Sequence, residues 1–263
     1  MLWLNAFSAV LGAGAQVDTA LPLLSDSSAA RDQANNLLLP IKLYQAWTWQ
    51  GGASATRGRW DVPRFRGIGR PYIRPIEAAL NPSGAPIFME NFRHPLQFNS
   101  GEPIRPLVSD SAGGVRQYVL ACWTDRNFNA PAGDMYTIRC TTTGTAVANA
   151  WTDMGTLAPD DALMGGRYSI IGMELFAAGG VGGRLIFPGA PQPGAVVQAR
   201  PGVLVPVANG GQHSRYFRYG RLGVYGEFES FVPPNLEALF TAATATPEVY
   251  LDIVQIRTGA QAA

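Results

Sequence analysis

The sequence predicts an all-β protein, and three observations carry that prediction. The run from 215 to 257 consists of strand-length segments joined by sharp connections, with no stretch at the helical period. Charged residues make up only 15% of the 263, against 30 Gly and 20 Pro, which suits short strands joined by turns rather than a helical enzyme or a disordered tail. Short apolar runs bounded by turn residues recur along the chain, about twelve to sixteen in all, roughly 8–12 residues apart.

The chain opens on MLWLNAFSAVLGAGAQV, in which Met1, Leu2, Trp3, Leu4, Phe7, Val10 and Leu11 fall roughly at helical spacing. The expectation is a short apolar helix in an N-terminal arm over residues 1–36, packed on a neighbour or a lipid surface; a segment folded onto its own core is the alternative. The small-residue end of this stretch looks like a secretory cleavage site, but no basic residue precedes it, so retention is expected. It is also short for a membrane span. Serine and aspartate in SDSSAARDQANN are placed to cap one short helix, and LLLPIKLYQAWTW reads as strand.

GGASATRGRWDVPRFRGIGRPYIRP, residues 51–75, has no periodicity and is expected to be a long loop. It carries Arg57, Arg59, Arg64, Arg66, Arg70 and Arg74 against the single acid Asp61, with Trp60, Phe65 and Tyr72 interleaved. That mixture serves a subunit interface, or a surface that meets phosphates of nucleic acid or lipid headgroups.

Further strands are expected near 86–92, 103–108, 116–124, 135–142 and 145–151. A second series begins at Arg167, where Ile171, Met173 and Leu175 share one parity. GGVGG at 179–183 precedes no helix and is expected to form a hairpin turn rather than a phosphate cradle. Leu222, Val224 and Phe228 alternate with polar residues until Pro233 and Pro234 stop the strand. After the apolar run 236–240, Val249, Leu251 and Ile253 share one face of a closing strand. A single eight-stranded jelly roll does not use all of these runs; two tandem eight-stranded barrels, at 37–160 and 161–263, do. An echo between residues 116–123 (RQYVLACW) and 167–173 (RYSIIGM) lends slight support to a duplication.

Little in the chain points to chemistry. Net charge is +1, and Lys42 is the one lysine among the twenty basic residues. The arginine bias suits a protein rich in interfaces and equally suits a GC-rich genome. His94 and His213 lie in unrelated contexts, and no zinc, nucleotide or nucleophile-elbow motif occurs. Cys122 and Cys140 could face each other across a hairpin, with two free core thiols the commoner arrangement. Asp160 and Asp161 could help hold calcium, although a solvated loop is the simpler reading. No enzyme and no cofactor are expected.

With tandem β-barrels, few charges, Gly/Pro turns, an apolar N-terminal arm and an arginine-bearing loop, the chain resembles the double jelly-roll major capsid proteins of tailless, membrane-containing icosahedral bacteriophages. RLIFPG, FRYGRLGVYGEFESFVPPN and VYLDIVQI carry the likeness. The resemblance implies a trimer whose six barrels make a pseudo-hexagonal capsomer, a place in the virion, and termini directed inward toward an internal membrane. Its expected partners are other copies of itself, other virion proteins, the lipid membrane and, as an open question, nucleic acid. It transfers no catalytic residue. The rival classes are a carbohydrate-binding β-sandwich, as in an adhesin or receptor-binding spike, and a β-sandwich hydrolase with two convergent carboxylates.

Overall fold

The computed structural model describes residues 2–11, 19–24, 40–50, 56–65, 72–73, 75–77, 96–103, 105–110, 116–124, 132–177, 180–188, 195–197, 199–201, 224–241 and 247–256. Among these the structure is all-β, with one short 3-10 turn at Pro63–Phe65 and no α-helix. The chain divides into two compact units, Trp3–Arg126 and Asn127–Ala263, the latter joined by Met1–Leu2.

The first unit holds two sheets. One contains β1 (Leu2–Val10), β9 (Arg116–Thr124) and β3 (Ile41–Gln50) side by side, with β6 (Pro75–Glu77) and β7 (Leu96–Phe98) both paired to β3. The other runs β2 (Thr19–Ala20), β8 (Pro106–Asp110), β4 (Thr56–Trp60), β5 (Tyr72–Ile73). Trp60 of β4 binds the two layers together. Its indole meets Phe7 of β1 edge-on at 6.3 Å and Phe98 of β7 at 5.9 Å, and all three rings are buried. Leu11, Leu21, Val62, Val108, Val119 and Ala121 complete this core.

The second unit is built the same way. Its larger sheet runs β12 (Ala158–Pro159), β10 (Met135–Thr141), β19 (Glu248–Ile256), β13 (Arg167–Ala177), with β16 (Ala199–Pro201) and β17 (Gly226–Glu229) both on β13. Its smaller sheet runs β11 (Trp151–Thr156), β18 (Asn235–Phe240), β14 (Gly180–Ile186), β15 (Ala195–Val197). Met173, Leu175, Val249, Leu251 and Ile253 of one sheet and Leu185, Leu236, Ala238 and Phe240 of the other are buried.

The likeness between the units extends to register. A shift of 127 takes Leu43 of β3 to Ile170 of β13, and a shift of 130 takes Trp123 to Ile253; Leu43 pairs Trp123, and Ile170 pairs Ile253. Both ladders then slip by one residue, between Leu43 and Gln45 in one and between Ile170 and Gly172 in the other. Antiparallel β7 pairs the start of β3 as β17 pairs the start of β13, while parallel β6 and β16 pair their ends. In the smaller sheets Arg59 lies opposite Leu107 and Arg184 lies opposite Glu237, again 130 residues on from Leu107.

Several expectations are corrected. The apolar N-terminus is a strand, not a helix: β1 lies against β9, and Phe7 and Leu11 are 0% and 6% exposed in their own unit's core. The division falls at 126/127 rather than 160/161, because β10 forms its ladder with the closing strand β19. Arg57 and Arg59 sit in β4, between β5 and β8, rather than in a loop. The strand expected at 145–151 begins instead at Trp151. Gly180, Gly182 and Gly183 lie inside β14, not in a hairpin turn; a Cβ at Gly183 would come within 2.6 Å of Leu175 Cδ2 across the core. Cys122 and Cys140 do not face across a hairpin, since β9 pairs β3 whereas β10 pairs β12 and β19. The counterpart of β9 is β19, not β13, so the echo between 116–123 and 167–173 was out of register. The helix expected at 25–36, the strand at 86–92, His94 and His213 lie outside the described residues.

Candidate functional site

The most distinctive surface among the described residues is one end of the second unit. There β10 and β13 begin and β17 and β19 finish: Met135 pairs Val254, and Arg167 pairs both Ile256 and Glu229. Tyr136, Tyr168 and Phe228 form an aromatic row just inside this end, Tyr136 edge-on to Tyr168 at 6.3 Å and Tyr168 stacked on Phe228 at 5.7 Å. Burial, with the Tyr168 hydroxyl beside it, pushes the Tyr136 phenol well above its ordinary value.

Two loops rise over this row. Residues 160–166 lead into β13, and residues 230–234 turn from β17 into β18. Tyr168 Oη donates to Met164 O at 2.8 Å, Ser230 N to Gly166 O at 2.9 Å, and Gly166 N to Ser230 Oγ at 3.3 Å. These bonds hold the loops side by side. At their tips Met164 is 71% exposed and Phe231 79%, with Val232, Met135 and Tyr136 also exposed. Five of the seven large apolar side chains exposed among the described residues therefore cluster at this end. Clustered apolar exposure of this kind marks a candidate interaction site.

Beside the tips lies a hollow of about 260 Å³, lined by Arg167, Pro188, Glu227, Phe228, Glu229 and Val232. Arg167 Nη2 holds Glu227 Oε2 at 2.5 Å, so the guanidinium already has an anionic partner. Its lining has no histidine, cysteine or hydroxyl side chain, and its two carboxylates are Glu227, held by Arg167, and Glu229. Among the described residues no three His, Cys, Asp or Glu converge as a metal site. Asp160, considered for calcium, accepts from Arg139, which also holds Glu248 at 2.9 Å.

The residues singled out from the sequence are spread more widely. Met1, Arg66, Arg70 and Arg74 lie outside the described residues, and Leu2, Trp3, Leu4 and Arg57 are described through their strands alone. Phe7 and Leu11 belong to the core. Arg59 is half-buried in β4. Arg64 is exposed on the 3-10 turn, where its Nε donates to Glu102 Oε1 at 2.9 Å and its Nη2 to Gln97 O at 2.6 Å. Asn99 N donates to Glu102 Oε2 at 2.7 Å, closing a turn in which Gly101 has φ 80°. Burial opposes ionisation of Glu102, but the Arg64 hydrogen bond, the Asn99 amide and the Arg64 charge outweigh it and hold the carboxyl below its ordinary value. Arg64 thus clasps its own unit.

No protein-family model matches the chain, and no curated protein matches it. Among solved structures, the STIV MCP is 9% identical over 100% of this chain and 99% of that one, with a TM-score of 0.28. The major capsid protein P2 from bacteriophage PM2 is 12% identical over 98% and 99%, with a TM-score of 0.24.

Proposed function

We propose that the chain is a structural virion protein, a major capsid protein whose two units are jelly rolls and whose trimer forms a pseudo-hexagonal capsomer of an icosahedral shell. It acts by assembly with copies of itself and other virion proteins, over an internal membrane, and not as an enzyme.

One observation carries the reading: the same pairing scheme occurs twice in one chain. In the first unit β1, β9 and β3 lie side by side with the short β6 and β7 on β3, and β2, β8, β4 and β5 form the other sheet. In the second, β10, β19 and β13 lie side by side with the short β16 and β17 on β13, and β11, β18, β14 and β15 form the other sheet, the two-residue β12 being an added edge on β10. This order supports reading each unit as an eight-stranded jelly roll, with β6 and β7, and likewise β16 and β17, counted as one interrupted strand and β12 as an addition. Subunits that meet through side chains rather than through strand edges keep a defined geometry in a lattice. Three chains with two like halves supply six like walls to a hexagonal lattice. The step from this topology to a shell is an analogy of fold.

Native mass tests it. Light scattering on the purified protein should give three times the 28.1 kDa chain mass, and negative-stain images should show hexagonal units or particles built from them. A monodisperse monomer that never assembles overturns the reading.

A further inference from the structure

We propose that the apolar end of the second unit is a lipid contact: Met164 and Phe231, with Val232 beside them, enter the headgroup boundary of a neutral membrane. The inference rests on the reading of the chain as a shell protein over a membrane. It moves the lipid contact away from the N-terminal strand, whose Phe7 and Leu11 are already committed to a protein core.

Three features of the loops favour lipid over another occupant. The first is charge. Residues 162–166 (ALMGG) and 230–234 (SFVPP) contain no ionisable side chain, although Asp161, Arg167 and Glu229 stand at their bases. A tip free of charge enters an apolar medium without stripping water from an ion.

The second is the backbone. A peptide N–H carried into lipid without a partner is costly. In the 230–234 turn, Ser230 N bonds to Gly166 O at 2.9 Å and Val232 N to Glu229 O at 2.8 Å, while Pro233 and Pro234 have no N–H to satisfy. Four of its five backbone nitrogens therefore ask nothing of water.

The third is shape and extent. The most exposed groups are at loop tips, with Tyr136 at the start of β10 beside them, where an interfacial phenol would meet headgroups. At about 150–250 Å² for a large side chain, the five exposed groups offer roughly 500 Å² per copy, within the roughly 300–600 Å² of a typical monomer's largest patch, which is often functional. The acids around the tips outnumber Arg167, so anionic headgroups should add nothing to binding.

The test is flotation of the purified full-length protein with phosphatidylcholine vesicles, alongside native mass. Wild type is expected to float with these vesicles, and no better when phosphatidylglycerol is added. Met164→Ser/Phe231→Ser should lose at least tenfold in vesicle partition while keeping the wild-type native mass and melting temperature, and Phe231→Leu should retain most of the binding. A wild type that does not float, or a double variant that floats equally well, overturns the inference while leaving the shell reading to the native mass. A double variant whose native mass falls also overturns it, because the patch would then be a contact between copies of the chain. Phe231→Trp supplies a second readout: quenching of the new indole by brominated phosphatidylcholine supports insertion, and no quenching refutes it.

Discussion

Single residues show where alternation can be read from letters and where it cannot. Val249, Leu251 and Ile253 are buried as their period of two requires. Phe7 and Leu11 misled because a separation of four keeps two residues on one face of a helix and also on one face of a strand. Arg64 and Glu102 stand 38 positions apart, so no local pattern connects them. Replacing Glu102 by Gln should cost about 1 kcal/mol at neutral pH, measured by denaturant unfolding. Because the folded state holds this carboxyl below its ordinary value, that difference is full above about pH 4.5, and it should shrink as pH falls through the lower folded value. Gly226 is constrained by space: a Cβ there would meet the Phe187 ring at 2.2 Å. Gly226→Ala should therefore destabilise by about 1–3 kcal/mol, seen as a lower melting temperature with unchanged far-ultraviolet circular dichroism.

At the scale of elements, strands with apolar alternation were legible and those held by their neighbours were not. The expected 116–124 and 135–142 became β9 and β10 almost unchanged. β4 was invisible because TRGRW offers a single large apolar residue; β5 and β8 on either side make it a strand. Its one indole then sits at the centre of the first core. Trp60→Ala should cost about 3–5 kcal/mol in equilibrium unfolding, more than any single substitution on the 3-10 turn. The candidate site was passed over for a similar reason. The 230–234 turn read as a strand stop, and only the pairing of its Ser230 with Gly166 brings a second uncharged loop beside it. A scan for loops without ionisable residues would have marked 162–166 and 230–234, along with 142–150, but not the adjacency of the first two.

For the whole molecule, composition and turn spacing made the all-β class legible, while the boundary between the units was not. A boundary depends on which strands share a ladder, and the union of β10 with β19 spans more than a hundred residues. The duplicated plan was equally hidden from the letters. At matched places in the two halves stand Gln45 and Gly172, Thr48 and Leu175, Trp49 and Phe176, with no common side chain. Phe98 and Phe228 do match, each buried opposite the early part of the long third strand.

The one-residue slip in that long strand recurs at the same place in both halves. A bulge turns the following side chains over to the other face, so removing it from one half would exchange that strand's inside and outside. An insertion or deletion there is punished at once, whereas a change of residue type is absorbed by its neighbours. Over long descent such a chain forgets its alphabet before it forgets its count, and ancestry is better sought in the position of the slip than in the spelling around it.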